Sequence, residues 1–205
     1  MKKYYVYYDI AQPYYEGEKV SSSKEFVEFF DSDPAEEIEL HVNSYGGEVK
    51  EALAMLAAIE RHTGKVVAYV DGIAASCASW LALAADEVHI AKNAEIFIHR
   101  AHEFMYADAP SFEKEAVLLR SYDERIAGIY KTKAVDENTD FLRMMTDETT
   151  LPATEAAKLW HIIVDDVKDV PTNKTRCMNV LQKCTRKPAE EEQPADNDND
   201  IDCII

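Results

Sequence analysis

Residues 65–85 run without a break from an apolar strand, through a turn of small residues, into a buried helix. Val66, Val67 and Val70 are β-branched and suit a pleated, packed surface. Asp71-Gly72-Ile73-Ala74-Ala75-Ser76-Cys77-Ala78-Ser79-Trp80 follows, and residues 79–85 continue in Ala and Leu. The stretch predicts a strand over 65–70, a turn over 71–78 and a helix over 79–85. A turn of this kind presents one hydroxyl on a sharp backbone bend, and only small neighbours leave room there for a substrate carbonyl. The pattern is not G-x-S-x-G, so the meaning of that hydroxyl depends on what other segments supply.

The surrounding pattern alternates strand and helix. Residues 3–9 alternate around Tyr and Val and read as a strand. Ser21-Ser22-Ser23 caps a helix over 24–30 with Phe26, Phe29 and Phe30 at helical spacing. Residues 38–42 read as a strand with Ile38, Leu40 and Val42 on one face. Residues 48–62 read as an amphipathic helix with Ala52, Leu53, Leu56 and Ile59 inward, His62 solvated in its last turn and Gly64 ending it. Residues 87–91 and 95–99 are further strands. This order predicts an α/β core with parallel strands.

One long helical pattern covers 111–135, with Phe112, Ala116, Leu119, Ile126 and Ile129 as its stripe. It is longer than a small core needs and is expected to pack on another subunit. Residues 138–145 predict a short helix, 144–150 a polar turn, 154–160 a helix behind Pro152, and 162–167 a last strand. Residues 171–187 are mildly basic. Residues 190–202 are acidic and poor in apolar side chains, which predicts disorder. The expected organisation is one domain over 1–170 and a basic-then-acidic tail over 171–205.

At 205 residues the chain can bury one good-sized core. It is 47% hydrophobic but has no apolar run near the length of a membrane span. A net charge of −17 repels phosphates and argues against nucleic acid. Met1-Lys2-Lys3 leads into Tyr-rich alternation rather than a charged-then-apolar leader, so the expected location is cytoplasmic. Cys77, Cys177, Cys184 and Cys203 form no C-x-x-C pair and have no His cluster nearby, so neither zinc nor a disulfide framework is indicated. No metal and no cofactor is expected.

Four pieces bear chemistry. Asn43-Ser44-Tyr45-Gly46-Gly47-Glu48 places a Gly pair between strand and helix, where freed N–H groups can hold an anion or a developing oxyanion. Taken in isolation, an ordinary strand-to-helix turn that uses Gly for positive φ is the favoured reading. Ser76 is the favoured nucleophile; Cys77, readable as a small buried hydrophobe, and Ser79, inside the helix, are its rivals. His99 ends the run Ile96-Phe97-Ile98 and can serve as general base, with His102 competing and His89 read as core or surface. Asp147 and Glu148 offer a carboxylate in a polar turn. Acyl transfer needs these four parts, and each oxyanion donor contributes about 3–4 kcal/mol.

In this order the motifs resemble those of the caseinolytic (Clp) peptidase family. Asn43-Ser44-Tyr45-Gly46-Gly47 is similar to that family's Asn-Ser-Pro-Gly-Gly, with Tyr45 in place of Pro. Asp71-Gly72-Ile73-Ala74-Ala75-Ser76 resembles its nucleophile turn, with Cys77-Ala78 in place of Met-Gly. Glu95-Ile96-Phe97-Ile98-His99 resembles the strand that ends in its catalytic His. Leu151-Pro152-Ala153-Thr154-Glu155-Ala156-Ala157 resembles the segment after its catalytic acid.

The resemblance implies a ClpP/crotonase-like spiral ββα superhelix with a protruding handle helix at about 111–135. It implies a triad of Ser76, His99 and Glu148, with Asp147 as the alternative acid, and an oxyanion hole from the N–H groups of Gly47 and Cys77 with Gly46 shaping the loop. It implies a homo-oligomer, as a ring or stacked rings joined through the handle helix, acting on protein or peptide substrates. No evident axial loop opens the chain, which points away from an ATPase unfoldase partner and toward the head-maturation proteases of phages and prophages. A catalytically inactive ring and a crotonase-type acyl-CoA enzyme are the alternatives on the same fold.

Overall fold

The computed structural model describes residues 1–166. Val167, the tail expected over 171–205, and Cys177, Cys184 and Cys203 lie outside the described residues. In chain order the elements are β1 (Lys2–Val6), α1 (Ser23–Asp31), β2 (Ile38–Ser44), α2 (Val49–Arg61), β3 (Val66–Ala75), α3 (Cys77–Leu83), β4 (Glu87–Ala91), β5 (Glu95–Ile98), α4 (Ala109–Thr132), α5 (Phe141–Thr146), β6 (Thr149–Pro152), α6 (Ala153–Leu159) and β7 (Ile163–Asp165).

A parallel ladder β1-β2-β3-β4-β7 forms the sheet. One face carries α1 and α2, whose Phe26, Phe30, Met55, Leu56 and Ile59 join Leu40, Val42, Ala68 and Val70 in the core. The first turn of α1 is held by Ser22 Oγ, which accepts the Glu25 N–H. Every residue of α3 is buried, which is why this helix is built from Ala, Leu and other compact residues around one Trp.

Two elements differ from the sequence reading. Residues 71–75, expected as a turn, are strand, because they gain partners on both sides. Val67–Val70 pair with β4, whereas Ile73–Ala75 pair with β5, so β3 forks at Asp71-Gly72. Gly72 fits because a Cβ there would lie 2.6 Å from Asn43 Oδ1. That oxygen accepts the Ile73 N–H and patches the β2–β3 ladder where its register shifts between Val42 and Ser44. Only Ser76 makes the turn. The second difference is β6, which lies within and just after the expected polar turn and pairs antiparallel with β5, Thr149 opposite Ile98 and Leu151 opposite Ile96.

The long helix α4 begins at Ala109, where Asp108 Oδ1 accepts the Ser111 N–H at 3.1 Å and Pro110 sits in the first turn. Its C-terminal half buries Asp123, Ile126, Ala127 and Tyr130, whereas Phe112, Val117 and Leu118 in its N-terminal half are exposed.

The other sheet face carries a row of rings in register, Tyr5, His41, Tyr69 and His89, stacked at 4.9, 5.2 and 4.9 Å. His89 is therefore neither plain core nor plain surface. Its ring sits between Glu87 at 2.7 Å and Asp165 at 3.0 Å, as His41 sits between Asp71 at 2.9 Å and Glu39 at 3.4 Å. Burial is the largest single influence on each ring and lowers its pKa. The carboxylates together outweigh it, Asp71 leading for His41 and Glu87 with Asp165 for His89, so both pKa values are raised. Both folded values thus lie above the unfolded one, so this stability is full below about pH 6.5 and is lost as pH rises through the folded values. The urea midpoint of the wild-type chain should exceed that of a His41→Gln/His89→Gln variant most near about pH 6, with the gap closing toward about pH 9. A gap that does not change with pH contradicts this. His62 also departs from the sequence reading: its ring is half-buried against Phe30, and Nε2 donates to the Glu36 carbonyl at 2.8 Å.

Candidate active site

The fork in β3 builds the site. Because β5 runs parallel to the end of β3, with Ala75 paired to Phe97, the strands finish on one edge of the sheet and deliver Ser76 and His99 just beyond their last rung. The Ser76 N–H donates to the Phe97 carbonyl at 2.9 Å and fixes the bend. Ser76 has φ 53° and ψ −130°, a conformation costly for a residue with a Cβ and typical of strained functional turns.

Ser76, His99, Gly46 and Gly47 line one open groove of about 890 Å³, which Tyr14 and Leu118 also border. His99 and His102 line a second hollow, of about 370 Å³, together with Thr146 and Glu148. His99 therefore borders both the groove that Ser76 lines and the hollow that Glu148 lines. Among the described residues no hydrogen bond joins Ser76 Oγ to His99, or His99 to Glu148.

His99 is half-buried, stacks on Phe97 at 5.4 Å and lies 5.0 Å from the His102 ring. Its pKa is lowered, first by burial and then by the charge of His102, with the Arg100 backbone, Glu148 and Asp123 pulling the other way. A lowered value keeps the ring neutral at pH 7, the form a general base requires.

The structure separates the two candidate acids. Glu148 takes φ 49° and faces the His99 hollow. Asp147 caps α5, with its carboxylate 3.8 Å from Arg143 Nε, and is not among the residues lining that hollow.

Two glycines bring the Gly-Gly loop against the nucleophile turn. Gly46 has φ 92°, and a Cβ on it would lie 2.7 Å from the Ala75 carbonyl oxygen and 2.8 Å from Ser76 Cβ. Gly47 has φ 145° and presses on Ile10. Ile10 donates to the Gly46 carbonyl and accepts from the Glu48 N–H, which leaves the Gly47 N–H outside this bridge. The N–H groups of Gly47, Cys77 and Ala78 all lie beside the Cys77 thiol.

The rival nucleophiles have structural roles. Burial pushes the Cys77 thiol up to about 12, only partly offset by those N–H groups, so it stays protonated and unreactive at neutral pH. Ser79 is fully buried, donates from Oγ to the Ser76 carbonyl at 2.5 Å and meets the Tyr130 hydroxyl at 2.7 Å. It braces the turn from beneath.

The sequence reading missed a group beside His99. Arg100 Nη1 donates to Asp123 Oδ2 at 2.8 Å, Arg100 Nε donates to Thr146 Oγ1 at 2.7 Å, and the Ala101 N–H donates to Asp123 Oδ1 at 2.9 Å. The available signal was Asp123 itself, an acid three residues before Ile126 on the inward stripe of a helix, where burial demands a partner.

Among the described residues no group of three or more His, Cys, Asp or Glu is placed to hold a metal ion, and no helix is long and apolar enough to cross a membrane. A family model, Clp protease, matches residues 19–171. No curated protein matches the chain.

Proposed function

Since the chain belongs to the Clp protease family, we propose that it is a serine endopeptidase with Ser76 as nucleophile, His99 as general base and Glu148 as the acid that orients the imidazole. One observation carries this reading: a serine on a left-handed bend, a half-buried histidine and a Gly-Gly loop border a single groove.

In the proposed reaction Ser76 Oγ attacks the scissile carbonyl carbon and passes its proton to a His99 ring nitrogen. The carbonyl oxygen becomes an oxyanion held by the N–H groups of Gly47 and Cys77. Collapse breaks the C–N bond, and His99 returns the proton to the leaving amine. A water then attacks the acyl-enzyme with His99 again as base, which frees the acid product and restores Ser76. Glu148 stabilises the imidazolium at each step. Hydrogen bonds of this kind commonly tighten only when substrate fills the groove.

The exposed Phe112, Val117 and Leu118 on α4 suit packing against another copy of the chain, and a homo-oligomeric chamber that limits access to unfolded protein or short peptides is part of the proposal. Scaffold or prohead processing, in the cytoplasm of a phage-infected or prophage-bearing host, is the physiological role taken from the resemblance of the motifs.

A fluorophosphonate probe tests the nucleophile. Peptide mapping by mass spectrometry should place the adduct on Ser76 and find none in a His99→Ala variant. An assembled oligomer that takes no label contradicts the peptidase reading and favours a structural ring of the same fold.

A further inference from the structure

We propose that Arg100 and Asp123 are positioning residues that clamp the proposed base and the proposed acid to helix α4. The inference rests on the triad reading of the preceding subsection and concerns what holds that triad together. Asp123 is only 4% exposed. One of its oxygens accepts the Ala101 N–H, and the other accepts from the Arg100 guanidinium. These two contacts fix the backbone directly after His99. Arg100 then reaches in a second direction, to Thr146 Oγ1. Thr146 is the last residue of α5, two positions before Glu148, and its hydroxyl donates to the Leu142 carbonyl. A single side chain therefore ties together the strand end bearing the base, the turn bearing the acid and the buried half of α4. The planar guanidinium suits this because its N–H groups point in fixed, divergent directions, which a lysine ammonium cannot reproduce.

A clamp of this kind has an electrostatic signature. His99 is faced by Arg100 and His102 from its own segment, by Asp123 from α4 and by Glu148 from the turn after α5, with Glu103 and Glu115 farther along the groove. The Asp123 charge favours the imidazolium, and the Arg100 guanidinium paired with it at 2.8 Å offsets that charge in part. Removing Asp123 leaves a positive charge that disfavours the imidazolium. Removing Arg100 leaves a negative charge that favours it.

The test is the rate of fluorophosphonate labelling at Ser76 between about pH 5 and pH 9, read alongside the His99 ring titration by NMR. Asp123→Asn should move the acidic limb to lower pH, and Arg100→Gln should move it to higher pH. Both should slow the plateau by about 10- to 100-fold, as misplaced reacting groups do. The double variant should return the limb near its wild-type position and stay slow. Arg100→Lys keeps the charge and loses the fork, so its limb should hold while its plateau falls. Because Arg100 is partly exposed, this last variant is expected to fold even if Asp123→Asn does not. Wild-type limbs and plateaux in Arg100→Gln and Arg100→Lys overturn the clamp. If the wild-type chain takes no label, the peptidase reading fails on its own, and the NMR titration still decides the clamp: opposite displacements of the His99 pKa support it, and an unmoved pKa overturns it.

Discussion

Replacing Ser76 with glycine is expected to abolish peptide hydrolysis and raise the melting temperature in the same molecule. Loss of a triad serine lowers kcat by about 10⁴- to 10⁶-fold, because the oxyanion donors and the binding groove alone retain little catalysis. The stability gain has a separate origin. At φ 53° a residue with a Cβ carries strain of about 1–3 kcal/mol. Glycine relieves it and gives back about 0.4–1 kcal/mol through the freer unfolded chain. A net gain of about 1–2 kcal/mol raises Tm by a few degrees in a chain of this size. Ser76→Ala keeps the Cβ, so it should lose activity to the same extent without the rise in Tm. Thermal unfolding of the two variants side by side checks this. Equal melting temperatures would show that the bend stores no strain.

The second large effect is expected at Gly47. A Cβ on this residue would lie 2.2 Å from the Ile10 carbonyl oxygen and 3.0 Å from Ile10 N and C, and all three are backbone atoms that cannot rotate away. Gly47→Ala therefore overpacks the bridge to Ile10 and forces φ 145° on a residue with a side chain. The combined cost is about 2–5 kcal/mol, enough to show as a large drop in urea midpoint or loss of soluble protein. Gly17→Ala is the control. Its φ is 89°, but nothing lies within 4 Å of the added carbon, so it should cost only the backbone strain. Equal losses at the two positions contradict the packing argument. Gly46→Ala should act differently again, because its added carbon pushes on Ser76 Cβ and on Cys77 N at 3.0 Å. Activity there should fall further than stability.

Much of this architecture is legible before any coordinates are seen, for reasons tied to particular residues. Val66, Val67 and Val70 mark a buried strand, and the Ser22 cap with its Phe-rich face marks α1. Both signals are local, and both elements form where expected. The extension of β3 through Ala75 is not legible, because Gly72, Ala74 and Ala75 have the composition of a turn and become strand only through partners distant in sequence. The same holds for β6, four residues whose pairing with β5 is supplied by tertiary contact. At the site, motif order alone points to Ser76, His99 and the Gly46-Gly47 loop. The motif resemblance already favours Glu148 over Asp147, and the geometry adds that Glu148, at positive φ, lines the hollow beside His99 whereas Asp147 does not. Asp123, an acid on the inward stripe of α4, signals that a partner is needed, but Arg100 and Thr146 stay hidden until the fold brings three distant segments within hydrogen-bond reach.

The most direct measurement is intact-mass spectrometry of the chain quenched in acid during turnover of a slow activated peptide ester. Proteolytic mapping should place one added acyl group on Ser76, with none in Ser76→Ala or His99→Ala. Turnover with no adduct on Ser76, or an adduct on Cys77 or Ser79 instead, would contradict the proposed nucleophile.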